Sequence, residues 1–187
     1  MGLPKLLYTL FFLAAALGST QGNAQTFTAK TCKVTFETTG QPVLVKIEGK
    51  SDTACSGQAT VQGDKITASE FILKLDKLDT GIPLRNKHLR ENYLHIEKFP
   101  DSKLKITEIT DLTIQLSGKA TGPSKFVGEL DLHGQKAPVD DGTYQIKNGK
   151  QVTVKFDLDL GKHGVEKPGF MGVKVVDKVH LTINFEI

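Results

Sequence analysis

Apolar and polar residues alternate one by one along much of the chain, the pattern of a strand that buries one face. The clearest run is residues 179–187, where every odd position is apolar and every even position is polar. Further runs of the same kind occupy residues 34–38, 43–48, 59–62, 71–75, 104–109, 112–116, 126–133, 144–147 and 152–160. The pattern predicts an all-β fold whose strands each have one apolar and one polar face.

Short turn signals separate these runs. Asn148-Gly149 lies between two alternating runs and suits a type I′ hairpin turn, in which both central residues need a positive φ. Thr39-Gly40 and Gly63-Asp64 are turn signals of the same kind. Short strands at this spacing, with no long helices between them, predict an antiparallel sandwich or barrel.

One segment departs from the alternation. Leu84, Leu89, Tyr93 and Leu94 fall near helical spacing, and Pro83 suits the first turn of a helix. We predict a short helical excursion around residues 84–94, packed on or over one end of the sheet. The chain shows no linker and no internal repeat, so these elements are expected to form one domain.

The first 24 residues have the features of a secretory signal peptide. Lys5 supplies a positive start, residues 6–17 are apolar and uncharged, and a polar stretch with small residues follows. The apolar part is too short to span a bilayer, which needs about 20 residues, so an uncleaved anchor is the less favoured alternative. We expect a mature chain of residues 25–187 that is periplasmic or secreted.

Charge and aromatic content narrow the class of protein. The chain has 24 Lys and Arg against 21 Asp and Glu, a balance too even for a nucleic-acid binder. A barrel that faces lipid needs an apolar exterior with Tyr and Trp girdles, whereas this chain has no Trp and places Lys155, Asp157 and Asp159 on the outward face. We expect neither nucleic-acid binding nor stable membrane insertion.

Cys32 and Cys55 are the only cysteines. In an oxidising compartment, a pair in one small domain is more often bridged than free. We therefore favour a disulfide over two unpaired buried thiols. The bridge would close a loop of 24 residues, counting both cysteines, and would stabilise the fold by about 3 kcal/mol.

His88, Glu91 and His95 are spaced by three and four residues, so one face of a helix can carry all three. This spacing allows a metal site, or a small hydrolase or isomerase that uses His88 and Glu91. However, it lacks the His-Glu-x-x-His arrangement, and no Gly-x-Ser-x-Gly nucleophile motif is present. We favour ordinary histidines on an exposed turn, and expect no metal, no cofactor and no enzymatic activity.

Three stretches resemble the conserved sequences of the YceI-like family. The first comprises residues 78–81, 85–91 and 97–100, the second residues 128–139, and the third residues 172–186. They follow one another in the family's order, and the resemblance covers the chain from about residue 28 to the C-terminus. The family's Arg-Asp pair is Arg85-Asn86 in this chain, which removes a carboxylate.

The resemblance implies an extended antiparallel eight-stranded lipocalin-like barrel in the periplasm. Such proteins enclose a long apolar tunnel that holds a polyisoprenoid or another long-chain, fatty-acid-like amphiphile, and they are regarded as carriers and not as enzymes. A homodimer is an assembly that the sequence leaves open.

The inward-facing apolar positions are the candidate tunnel lining. They are Phe71, Leu73, Leu75, Leu104, Ile106, Leu130, Leu132, Val154, Phe156, Leu158, Leu181, Ile183 and Phe185. Each buried methylene contributes about 0.8 kcal/mol, so roughly twelve of them can supply micromolar affinity. Alternation by itself favours a core filled by side chains, and only the family resemblance favours a tunnel.

Cationic side chains are the candidates for the tunnel mouth. Arg85, His88 and Arg90 are predicted there, where a cation can pair with a phosphate or carboxylate head group. The alternative is a solvated loop in which Arg90 pairs with Glu91. Phe170 belongs to a glycine-rich segment that is predicted to form a flap near one barrel end, where it plugs an apolar opening or packs on the rim.

Overall fold

The structure, a computed structural model, describes residues 23–29, 32–42, 45–52, 55–170 and 173–187. The predicted signal peptide lies outside the described residues, apart from its last two positions. Twelve strand segments lie within the described part of the chain. They are β1 (Gln25–Thr28), β2 (Cys32–Gln41), β3 (Val45–Ser51), β4 (Cys55–Gln62), β5 (Lys65–Lys74), β6 (Asp101–Ile109), β7 (Ser124–Leu132), β8 (Gln135–Lys147), β9 (Gln151–Asp159), β10 (Gly169–Phe170), β11 (Val173–Val175) and β12 (Lys178–Glu186).

These segments form one antiparallel sheet that curls into a barrel. Neighbouring segments pair in the order β1-β4-β5-β6-β7-β8-β9-β12-β2-β11-β10, and β3 also pairs with β2. The order begins with β1, which pairs with β4, and later reaches β2, which pairs with β12. Since β1 and β2 are consecutive in the chain, strands from the same part of the chain stand near both ends of the order. The described residues therefore form twelve strand segments and not the eight strands predicted; for example, β11 and β12 are separate segments that both pair with β2. The predicted all-β, lipocalin-like barrel is confirmed.

The two ends of the barrel carry different connections. At the end that we call the upper end lie residues 75–100, the turn at residues 133–134, and residues 160–177. At the opposite, lower end lie residues 110–123 and the turn at residues 148–150. The connections of the upper end are longer, so they have the reach to cover the barrel opening.

The predicted helical excursion is confirmed at the upper end. Helix α1 (Pro83–His88) has proline in its first turn and continues as a π-helical turn at Leu89–Tyr93. The segment is tied to the sheet by paired backbone hydrogen bonds between Lys50 and Asp79, each with an N···O distance of 2.8 Å. None of the helices in the described part of the chain is long and apolar enough to cross a membrane.

The strand predicted at residues 112–116 is wrong, because this segment is helix α2 (Leu112–Leu116). Ile114 is 49% exposed, whereas Gln115 is fully buried, the reverse of what a strand would do. The Gln115 amide donates to Gly122 O and Ser124 Oγ, and its oxygen accepts from Ile146 N. These three hydrogen bonds satisfy the buried amide, and α2 packs across the lower end.

Two local predictions are confirmed. Asn148 and Gly149 both have positive φ, 53° and 65°, and Lys150 N donates to Lys147 O at 3.1 Å, as a type I′ turn requires. Cys32 and Cys55 form a disulfide with a Cα–Cα distance of 5.4 Å. The bridge joins the first residue of β2 to the first residue of β4. It therefore links the β2–β3 pair to the β1–β4 pair.

Candidate ligand-binding site

An apolar cavity of about 450 Å³ occupies the interior of the barrel. Ligand sites for small molecules typically have volumes of roughly 300–1,000 Å³. The side chains on the apolar faces of the strands therefore do not fill the barrel, and the interior can accept a guest.

Most of the predicted lining residues surround this cavity. Those that do are Phe71, Leu73, Leu75, Arg85, His88, Leu104, Ile106, Leu130, Leu132, Val154, Phe156, Leu158, Leu181, Ile183 and Phe185. Arg90 is not among the lining residues, because its Nη2 donates to Leu78 O at 3.1 Å beside a separate surface groove. The side chain of Phe170 lies outside the described residues.

Sequence reasoning missed a further part of the wall. The β2–β3 hairpin contributes Val34, Phe36, Val45 and Ile47, and the upper-end connections contribute Leu78, Ile82, Leu84, Leu89, Tyr93, Leu94, Val165, Pro168, Val173 and Val175. The hairpin residues follow the same alternation as the predicted strands, so the alternation could have identified them as part of the wall. The connections have no period that relates them to the barrel interior, so only the fold brings them there.

The barrel is filled below the cavity. Phe126 is 1% exposed and meets Phe156 edge-on, with ring centroids 6.2 Å apart. Glycine is required at position 142, because a Cβ there would overlap the Phe126 ring. These residues and α2 pack at the lower end, below the cavity.

The cavity opens at the upper end. Val45, Ile82 and Leu84 line the cavity and are also 43%, 50% and 51% exposed to solvent. A residue that both lines an interior cavity and faces solvent marks the opening. The mouth therefore lies between the start of β3 and the start of α1.

One connection across the upper end is held by a tyrosine. The Tyr93 hydroxyl donates to Gly169 O and accepts from Gly169 N, both at 3.1 Å. Tyr93 and Gly169 both line the cavity. This contact fastens residues 161–170, part of the predicted flap, to the helical segment.

Arg85 is held at the cavity wall by a polar network between α1 and Thr80, which precedes the helix. Its Nη2 donates to Thr80 O at 2.5 Å, while the Thr80 N–H and hydroxyl both donate to Asn86 Oδ1. The Arg85 Nε is buried and has no hydrogen-bond partner among the described residues. A buried donor without a partner is costly, so an acceptor on a guest in the cavity would relieve that cost.

Asn86 is well matched to its neighbours, although the family pattern has aspartate there. Its Nδ2 donates to Asp79 Oδ1 at 2.7 Å, and Gly81 N donates to the same oxygen at 2.8 Å. The amide of Asn86 and the backbone of Gly81 lower the pKa of the Asp79 carboxyl. This stabilisation is present above the ordinary aspartate pKa and is lost as the pH falls through the lowered value.

We expect Asn86→Asp to destabilise the helical segment in a pH-dependent way. At about pH 7 the variant places two carboxylates in contact, so the unfolding midpoint falls by a few degrees. In the variant, the repulsion between the two carboxylates raises the pKa of one of them. The loss of stability is therefore present above that raised pKa. It shrinks as the pH falls and the pair takes up a proton. Thermal unfolding of both proteins between about pH 7 and pH 4.5 measures this. A difference in unfolding midpoint between the two proteins that stayed constant over this pH range would contradict the prediction.

The three residues considered for a metal site or an enzyme are not brought together. His88 lines the cavity, whereas Glu91 and His95 lie in the separate groove with His133, and Glu91 has Lys87 3.9 Å away. His95 Nδ1 lies 2.7 Å from His133 Nε2. Among the described residues, no three His, Cys, Asp or Glu side chains are placed to share a metal ion.

The fold and the cavity define a class, a lipocalin-like barrel with an apolar interior cavity. A family model of the YceI-like domain matches residues 24–187, and the chain belongs to this family. No curated protein matches the chain in sequence.

Solved structures share the fold at low sequence identity. A polyisoprenoid-binding domain from Saccharophagus degradans, implicated in plant cell wall breakdown, is 13% identical with a TM-score of 0.60, over 86% of this chain and 98% of that one. BcnA from Burkholderia cenocepacia is 16% identical with a TM-score of 0.63, over 83% and 96%. A Campylobacter jejuni YCEI protein is 14% identical with a TM-score of 0.56, over 78% and 86%.

Proposed function

We propose that this chain is an exported binding protein that holds a long-chain apolar ligand, a polyisoprenoid or a fatty-acid-like amphiphile, in the barrel cavity. The observation that carries the proposal is the apolar cavity of about 450 Å³ in the interior of the barrel. Burial of a hydrocarbon chain contributes about 0.8 kcal/mol per methylene, so an apolar pocket of this size favours chains over compact polar molecules. The polyisoprenoid-binding domain with the same fold is in line with this ligand class.

The ligand head group is proposed to lie at Arg85 and His88. Both residues line the cavity, and they stand three positions apart on α1, so their side chains emerge on one side of the helix. The unpartnered Arg85 Nε gives a carboxylate or phosphate a buried, charged donor. The apolar chain would then extend down the barrel toward Phe156 and the filled lower end.

Export is proposed from the N-terminal sequence and the disulfide. The Cys32–Cys55 bridge is the kind of cross-link that persists in an oxidising compartment. Residues 1–24 have the features of a signal peptide. A periplasmic or secreted carrier fits both observations.

A pair of ligands with the same chain tests the proposal and the head-group position together. We expect the protein to bind hexadecanoate and hexadecanol, and Arg85→Gln to weaken the carboxylate about ten-fold while it leaves the alcohol nearly unchanged, because hydrogen bonds to charged groups contribute about 1.5–3 kcal/mol. Titration calorimetry, or displacement of a fluorescent fatty acid, measures both affinities.

Arg90→Gln is the matched control, because Arg90 is on the same segment and does not line the cavity. It should leave the preference between acid and alcohol unchanged. Equal loss of both ligands in Arg85→Gln would contradict the head-group position. No binding of either ligand by the parent protein would contradict the function.

A further inference from the structure

Along strand β7 the cavity ends at a single large side chain. Leu132 and Leu130 line the cavity, and the next two buried positions on the same face of the strand are Gly128 and Phe126. Gly128 has no side chain, and Phe126 does not line the cavity but contacts Phe156, which does. Among the described residues, Phe126 is the largest side chain that is fully buried. Its ring is therefore the first obstacle that a guest extending down β7 would meet.

We propose that Phe126 sets the depth of the cavity and thereby selects the ligand by the length of its apolar chain. The proposal rests on the proposed function, in which the head group lies at Arg85 and the chain extends down the barrel. A chain longer than the space between Arg85 and the Phe126 ring leaves either its head group short of Arg85 or part of its tail unburied. Methylenes beyond that length add no burial and therefore no affinity.

The Phe126 ring also separates β8 from the cavity. All residues of β8 lie in the described part of the chain and none of them lines the cavity, although Val139, Tyr144 and Ile146 are buried. Phe126 stands opposite Gly142 on β8, and a Cβ at position 142 would overlap the Phe126 ring. The ring therefore covers β8 at this level, and a smaller side chain would extend the cavity toward that strand.

The pairing of β7 with its two neighbours positions this ring. The register of β7 against β8 shifts between Phe126 and Gly128. On the other side of β7, the register against β6 shifts between Ile106 and Glu108, at the same level of the strand. Irregularities of this kind re-aim side chains. Because the backbone around Phe126 is paired on both sides, it would relax only partly after truncation, and a smaller residue would leave space.

Two carboxylates of different chain length test the role of Phe126. We expect the mature parent protein to bind docosanoate no more tightly than hexadecanoate. Phe126→Ala should bind docosanoate about ten-fold more tightly than hexadecanoate, because roughly two further methylenes are buried. Displacement of a fluorescent fatty acid measures both affinities. Phe126→Leu retains more of the core volume, should change the ratio in the same direction by a smaller factor, and decides the question if Phe126→Ala does not fold.

Phe99→Ala is the matched control, because Phe99 lies in the surface groove beside His133 and does not line the cavity. It should leave the ratio of the two affinities as in the parent protein. The proposal is overturned if a folded Phe126 variant keeps the parent ratio, or if Phe99→Ala changes the ratio as much. It is also overturned if the parent protein already binds docosanoate about ten-fold more tightly.

The parent protein separates this proposal from the proposed function. Binding of hexadecanoate by the parent, with an unchanged ratio in the Phe126 variants, would contradict the role of Phe126 and leave the proposed function standing. Binding of neither acid by the parent protein would contradict both.

Discussion

Leu181→Trp is expected to abolish high-affinity ligand binding while the barrel still folds. Leu181 lies in the middle of β12, opposite Phe36 on β2 and Phe156 on β9, and all three residues line the cavity. An indole at this position occupies space that the ligand needs. If it excludes about four methylenes at about 0.8 kcal/mol each, affinity falls by about 3 kcal/mol, or more than 100-fold.

The neighbouring position provides the control. Thr182 is the next residue on the same strand, opposite Thr35 and Lys155, so its side chain points to the outer face. Thr182→Trp should bind ligand as the parent protein does. Because the chain contains no Trp, the emission of each introduced indole reports its environment: blue-shifted for the cavity variant and red-shifted for the surface variant. A folded Leu181→Trp protein with unchanged affinity would contradict the assignment of the cavity as the ligand site.

Removal of the disulfide is expected to lower the stability of the barrel substantially. The bridge links residues 23 positions apart, and cross-linking a loop of this length stabilises a fold by about 3 kcal/mol in the chain-entropy model. Cys32→Ala/Cys55→Ala should therefore lower the unfolding midpoint by roughly 6–12 °C, at about 2–4 °C per kcal/mol for a domain of this size. Thermal unfolding followed by circular dichroism measures the change.

Reduction of the parent protein separates the two causes of that loss. Cys32 is only 3% exposed, so the alanine variant loses packing as well as the cross-link. The reduced parent protein should show most of the decrease, and the alanine variant slightly more. An unfolding midpoint that neither treatment lowers would show that the bridge does not stabilise the barrel.

The strands of the barrel could be predicted from the sequence because each has one buried, apolar face and one solvent-exposed, polar face. Period-two alternation reports this directly, and the wall residues on β5, β6, β7, β9 and β12 follow from it. The same rule failed at Leu112–Leu116, where a five-residue alternation fits a short helix equally well. In the helix, the buried Gln115 amide donates to Gly122 O and Ser124 Oγ and accepts from Ile146 N, and alternation carries no information about these partners.

The cavity itself could not be predicted from alternation. An apolar strand face has the same sequence pattern whether it packs against other side chains or lines a cavity. Whether a cavity remains depends on how the side chains fill the cross-section of the barrel. The resemblance to the YceI-like family supplied that information. The mouth could be predicted only in part: Arg85 and His88 line the cavity, but Arg90 donates to Leu78 O and does not line it.

Native mass spectrometry of freshly purified mature protein tests the central claim most directly, that the barrel holds a long-chain apolar guest. We predict that the parent protein and Thr182→Trp carry an additional mass, released by organic extraction as a long-chain amphiphile, and that Leu181→Trp does not. If the parent protein shows only the mass of the polypeptide, and still does so after incubation with long-chain acids, alcohols and polyprenyl lipids, the claim is contradicted.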